Sequence, residues 1–299
     1  MVKDMGSKIL VIGSSNTDMT IKAPRIPQPG ETILGGEFKM GPGGKGANQA
    51  VAAARLGGNV SFICKVGRDV FGEKSVDGYI KEGIDTSNIL YSDKASGTAL
   101  IMVDDKGENC ISVAPGANGD ITVKDIESLS GVIKDADYLV LQLEIPVESV
   151  VTAARIAHES GAYVILNPAP ACKLPAELFK YVSLATPNQT EIALMTGIEG
   201  DVEAAMKKLN EMGVKDIILT LGSRGSAIWN GEKAEIIPAR KVNAVDATAA
   251  GDTFCGALCV ALSEGKSKRE AVEFATKASA LTVQKMGAQE SIPYRKDIE

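Results

Sequence analysis

"ADYLVLQLEIPVESVVTAARIAHESGAYVILNPA", residues 136–169, decides the fold. Both ends are short, strongly apolar runs of strand length. The residues between them carry the helical period, open at Pro146 and stop at Gly161. Strand, helix and strand in such quick succession require a right-handed crossover and a parallel strand pair. The rhythm continues from about residue 121 onward, with "VSLATPN" (182–188) and "QTEIALMTG" (189–197), then "VEAAMKKLNEMG" (202–213) and "DIILTLGS" (216–223). Gly197, Gly213 and Gly265 each stand just past an amphipathic run, where a helix ends. The expected class is α/β, with a mostly parallel sheet flanked by helices.

Towards the N-terminus the rhythm starts in "KILVIGSSN" (8–16) and then breaks. "DMTIKAPRI" (18–26) and "ETILGGEFKM" (31–40) read as extended, and "GTALIMVDDKGENCISV" (97–113) reads as a hairpin turning at Asp105-Lys106-Gly107. These segments, near 18–40 and 97–113, are expected to form a small β-sheet lid on a single domain spanning 1–299. A sheet extension used for partner contact is the other reading, because open edges are often buried that way.

Composition narrows the function. A formal charge of −6 and a pI near 5.1 argue against nucleic acid and anionic membranes as partners. The apolar stretch Ile9 to Ile12 is too short for a signal peptide or membrane span, so a cytoplasmic protein is expected. Five scattered cysteines without a CxxC pair are expected to be reduced core residues. One histidine, His158, near a helix end, leaves little room for histidine base catalysis or a His-rich metal site.

"GPGGKGAN" (41–48) is not a Walker A loop, because Lys45 is followed by Gly46 and the earlier glycine is missing. "VIGSSNTD" (11–18) likewise fails the dinucleotide fingerprint, which disfavours a nicotinamide-dependent dehydrogenase. What these stretches offer is donors and acceptors suited to sugar hydroxyls: Lys45 and Asn48 in one, Asn16 and Asp18 at a strand end in the other. Glu144 stands at another strand end, where it could equally be a helix N-terminal acid. Asn188 and Glu191 fit a capping box as well as a ligand site. Thr220, Gly222 and Gly225 mark a turn open to close backbone approach.

"VDATAAGDTFCG" (245–256) places small residues immediately before an acid and an apolar helix. A plain helix cap would not require so bare a loop. Amides at Ala249, Ala250 and Gly251 at a helix N-terminus could instead hold an oxyanion, with Asp252 placed to take a proton from an attacking hydroxyl.

Taken in order, "NTD" (16–18), "GGKGANQA" (43–50), "NPAP" (167–170), "TPNQTE" (186–191), "TLGSRG" (220–225) and "DATAAGDTF" (246–254) make the chain resemble the ribokinase-like carbohydrate kinases along nearly its whole length. The resemblance implies a Rossmann-like fold with a β-sheet lid and ATP-dependent phosphorylation of the ribose 5-hydroxyl. It also implies Mg²⁺ and a monovalent cation activator such as K⁺. A homodimer through the lid is expected from the open edge of that sheet. By motif, Asn16, Asp18, Gly44, Lys45, Asn48 and Glu144 would contact sugar. Asp252 would be the base, with Ala249, Ala250 and Gly251 as the anion hole. Asn188, Thr220, Gly222, Ser223 and Gly225 would contact nucleotide, and Glu191 would organise magnesium through water. The cation would lie among Asp246, Thr248, Thr282, Lys285, Gly287 and Ser291. Ala247 and Lys285 depart from the Thr and Arg common among relatives. A kinase for 2-deoxyribose or a nucleoside, and a non-catalytic sugar sensor, are the alternative readings.

Overall fold

A computed structural model describes residues 6–34 and 36–298, so 1–5, 35 and 299 of the expected domain lie outside the described residues. In chain order the elements begin β1 (Lys8–Ile12), β2 (Asn16–Lys22), β3 (Glu37–Gly43), α1 (Lys45–Arg55), β4 (Asn59–Ile63), β5 (Lys65–Gly67), α2 (Val70–Lys81) and β6 (Leu90–Ser92). Next come β7 (Gly97–Val103), β8 (Asn109–Ala114), α3 (Val123–Ser128), α4 (Ser130–Lys134), β9 (Tyr138–Leu141), α5 (Val147–Glu159), β10 (Tyr163–Leu166) and β11 (Leu184–Ala185). The chain closes with α6 (Gln189–Thr196), α7 (Val202–Glu211), β12 (Asp216–Thr220), β13 (Ser226–Trp229), β14 (Ala234–Ile237), α8 (Ala250–Ser263) and α9 (Lys268–Thr282).

The main sheet runs β14-β13-β12-β11-β10-β9-β1-β4. From β12 to β4 every pairing is parallel, whereas β12–β13 and β13–β14 are antiparallel. The alternation along each strand sorts the core into two layers. Ile9 and Val11 of β1 pack with α1, α8 and α9, and Leu10 and Ile12 pack with α3, α4 and α5 on the opposite face. Gly161, Gly197, Gly213 and Gly265, read from the sequence as helix stops, all have positive φ.

Beyond β1 the chain leaves this sheet. β2, β3, β7 and β8 form a separate four-stranded sheet in the order β3-β2-β7-β8, with the β7–β8 turn at Asp104 to Gly107. The extended reading of 31–40 holds only from Glu37, where β3 begins. Cys110, on β8 of this sheet, is exposed, and Cys172, in the loop after β10, is partly exposed. Only Cys64, Cys255 and Cys259 are the buried thiols expected of all five. Among the described residues no helix is long and apolar enough to cross a membrane.

Candidate active site

The parallel strands β1, β9, β10, β11 and β12 end on one rim. Ser14, Glu144, Asn167, Asn188 and Thr220 follow those ends or stand at them. The chain crosses from β1 to β4 on one side and later returns to β9 on the other, so the gap between β1 and β9 is the topological switch point where α/β sheets bind ligands. A cleft of about 1070 Å³ opens there, with the small sheet as one wall.

Asp252 reaches this cleft because α1 packs very closely on α8. A Cβ on Gly256 would lie 2.7 Å from the Gln49 carbonyl oxygen and 2.8 Å from the Ala52 Cβ. That crossing brings Asn48 and Gln49 against the acid one turn earlier on α8. Asn48 Nδ2 donates to Asp252 Oδ2 and Gln49 Nε2 to Oδ1, each at 3.0 Å. Ala249 caps the helix with the left-handed φ of 59°. The first amide to reach back i−4 is that of Thr253, bonded to the Ala249 carbonyl, so the amides of the preceding turn are the orphan donors of the helix start. Ala250 departs from the expectation: its N–H is occupied by the Ala247 carbonyl at 3.2 Å, and it does not line the cleft. A Cβ on Gly251 would meet nothing within 4 Å. Its bareness serves the cleft and not the packing of the protein.

Asn16 and Asp18, two residues apart, share the cleft face of β2. Asp18 is pushed up to about 6 by burial, then by the neighbouring charges of Glu144 and Asp252, with Lys45 opposing. Glu144 Oε2 accepts from Ser14 Oγ at 2.6 Å and from the Lys45 amide at 3.0 Å, tying the β9 end to the start of α1. Burial works against the Lys45 ammonium, yet Asp252, Glu144, Glu191 and Asp18 hold its pKa above the ordinary lysine value. Lys45 is thus the positive centre shared by the acids of both ends of the cleft.

Asn188 and Glu191 do form the capping box, with Glu191 N donating to Asn188 Oδ1 and Asn188 N to Glu191 Oε2. Both also line the cleft, so the cap and the site coexist. Burial raises Glu191, as does Asp252, while the Asn188 amide and Lys45 oppose the shift. Thr220 lines the cleft, but Gly222 and Ser223 are exposed beyond it. Gly225 is bare for a different reason than expected, since a Cβ there would lie 2.0 Å from the Ile237 carbonyl oxygen of β14.

Asp246 joins two loops at the far rim. Its Oδ1 accepts from Thr248 N and Oγ1, and its Oδ2 from Gly287 N at 2.9 Å. Asp246, Thr248 and Gly287 border the cleft; Lys285 is exposed outside it, and Thr282 and Ser291 are fully buried. Among the described residues no cluster of three or more His, Cys, Asp or Glu could cage a metal. The donor set suits magnesium carried on a nucleotide and reached through water, because Mg²⁺ keeps much of its hydration.

Four residues outside the expected set hold the expected ones in place. Gln49, Gln142 and Asn167 lie behind Asp252, and Asn118 donates to Asn16 Oδ1 at 2.7 Å. The nearest sequence signal was Gln49 beside Asn48 in "GGKGANQA".

A switch-point cleft with an acid at a bare helix N-terminus, beside polar groups suited to a sugar, defines a phosphotransferase acting on an alcohol. The chain belongs to the pfkB family of carbohydrate kinases, whose model matches residues 7–295. It is 42% identical over 298 residues to a ribokinase of Haemophilus influenzae, covering 98% of this chain and 97% of that one. A solved ribokinase from Thermotoga maritima superposes with a TM-score of 0.91 at 39% identity, covering 98% of each chain. The Arabidopsis thaliana ribokinase solved with ribose and ATP gives a TM-score of 0.89 at 32% identity, covering 98% of this chain and 97% of that one.

Proposed function

We propose that this chain transfers the terminal phosphoryl group of ATP to the 5-hydroxyl of ribose. The observation that carries the reading is Asp252 in the first turn of α8, its carboxylate fixed by Asn48 and Gln49 beside the open Gly251. Asp252 takes the hydroxyl proton as the sugar oxygen attacks the γ-phosphorus. The β–γ bridging P–O bond breaks and ADP leaves, while the free amides of the helix start hold the charge spread over the phosphoryl oxygens. Asn16, Asp18, Gly44, Lys45, Asn48 and Glu144 orient the sugar; Asn188 and the 220–225 turn take the nucleotide. Magnesium bound with ATP would neutralise phosphate charge, and Glu191, which lines the cleft, would hold it through water.

The loops joined by Asp246 fit a K⁺ site built largely from backbone oxygens, with 246–248 on one side and 282–291 on the other. A homodimer is supported by the outer face of the small sheet, where Ile21, Phe38, Met40 and Leu100 are all exposed. An ATP-consuming sugar kinase belongs in the cytoplasm, where its nucleotide is supplied.

The test is phosphate transfer from ATP·Mg to ribose, 2-deoxyribose, fructose and nucleosides, with and without K⁺. The highest kcat/KM is expected with ribose, and K⁺ is expected to raise it. A better turnover of 2-deoxyribose or a nucleoside would reassign the acceptor, and sugar binding without ADP formation would mark a sensor.

A further inference from the structure

Behind Asp252 lies a chain of buried amides, in which Asn167 borders the cleft while Gln49 and Gln142 do not line it. Gln49 and Gln142 are both 0% exposed. Gln49 Nε2 donates to Asp252 Oδ1 and to Asn167 Oδ1, each at 3.0 Å, so both of its hydrogens are used. Its Oε1 accepts from Gln142 Nε2 at 2.7 Å. Asn167 Nδ2 in turn donates to the Thr186 carbonyl at 3.0 Å.

The chemistry of the two ends fixes every amide between them. An ionised carboxylate only accepts, which forces Gln49 to present its NH₂ to Asp252. A backbone carbonyl also only accepts, which forces Asn167 to present its oxygen to Gln49. Both ends therefore demand one orientation of Gln49, and Gln142 must donate to it. The arrangement carries a cost: Gln142 Oε1 is buried without a partner, and a Cβ on Gly13 would fall 2.0 Å from it. A network serving only packing would gain by replacing Gln142 with an apolar side chain, because an orphan buried acceptor destabilises.

We infer that Gln49, held by Gln142, is a positioning residue for the proposed base: it locks Asp252 Oδ1 from behind, so that Oδ2, which keeps a second lone pair beside its bond from Asn48, is the oxygen that meets the substrate hydroxyl. This rests on the reading of Asp252 as the base. The other titratable groups around Asp252 are Lys45 from α1, Asp18 from β2, Glu191 from α6 and Cys255 on α8 itself. All of them remain in the variants below.

The experiment follows kcat against pH with saturating ribose and ATP·Mg, since kcat reports groups in the substrate complex. Gln49→Met is expected to lower kcat about tenfold or more, to leave both KM values within about threefold, and to move the acidic limb of kcat up by about one pH unit, because a carboxylate that loses a donor holds its proton more tightly. Gln142→Met is expected to move the limb the same way by less, because it frees the Gln49 amide to turn. It decides the matter if Gln49→Met does not fold. A limb unmoved in the folded variants overturns the inference, even where kcat falls. Asp252→Asn is run alongside. Turnover retained in Asp252→Asn sinks the base reading itself; turnover lost there with an unmoved limb in the glutamine variants sinks only the role of Gln49.

Discussion

Gly43 lies diagonally across the β2–β3 pair from Asp18, which is in register with Gly41, and a Cβ on Gly43 would fall 2.2 Å from Asp18 Oδ2. The carboxylate occupies the space a side chain would take. Gly43→Ala is therefore expected to turn Asp18 away from the cleft and raise the KM for sugar by about 10- to 100-fold, the worth of hydrogen bonds to a charged group. The KM for ATP should hold. Steady-state kinetics with each substrate varied checks the split, and a normal sugar KM would mean that Asp18 does not hold the acceptor.

Asp18 also sets a pH dependence. Its folded pKa of about 6 lies above the ordinary 3.8, so the fold favours the protonated form. The resulting stability is fully present below about pH 4 and is lost as pH rises through about 6; at pH 8 the ionised carboxylate costs up to about 3 kcal/mol. Asp18→Asn should accordingly stabilise the ligand-free protein at pH 8 by a sizeable part of that amount, and by much less at pH 4. Urea unfolding at the two pH values measures the difference. Sugar affinity of the unaltered protein should weaken as pH falls through 6.

Asp252→Asn should retain the fold, since an amide keeps the shape between Asn48 and Gln49, while kcat drops by about 10²- to 10⁴-fold. The thermal midpoint and the ribose affinity measured on the same preparation separate lost chemistry from lost structure.

Gly251→Ala tests the bare helix start. The added methyl meets no protein atom within 4 Å, so the melting temperature should stay or rise slightly, as Gly-to-Ala changes do in helices. The methyl projects where the phosphoryl group is proposed to sit, and kcat should fall on the order of 10²-fold. Full activity would place the phosphate elsewhere.

Asn118 fixes the amide of Asn16. Its Nδ2 donates to Asn16 Oδ1 and to the Ser15 carbonyl, and its Oδ1 accepts from the Ser15 amide. Asn118→Asp keeps the last bond but sets an acceptor against Asn16 Oδ1, forcing that amide to turn its oxygen towards the cleft. Sugar KM should rise about tenfold, with a smaller change in kcat.

The architecture was legible because parallel strands and crossover helices write distinct periods into the chain, and 136–169 carries both. The β13–β14 hairpin at the sheet edge was not read, since two four-residue strands give too little pattern to distinguish antiparallel return from turn. Asp252, Asn48 and Glu144 could be singled out because a bare loop before α8, a glycine-rich turn before α1 and a strand end before Pro146 mark their places in the sequence. Gln49, Gln142 and Asn118 could not. Their role depends on which way an amide faces across elements far apart in sequence, and nothing in a one-dimensional pattern records that. Gly225 shows the same limit: a glycine beside a ligand and a glycine beside a crossing strand look identical in sequence, and the close approach of the Ile237 carbonyl appears only once β14 is placed.

Asn16 and Asp18 are carried on β2, the strand that leaves the main sheet to become part of the cover. In the proposed reaction the acceptor alcohol is therefore held by the wall of its own cleft. Any shift of that sheet would carry the sugar with it, so the position of the wall and the position of the attacking oxygen are set together.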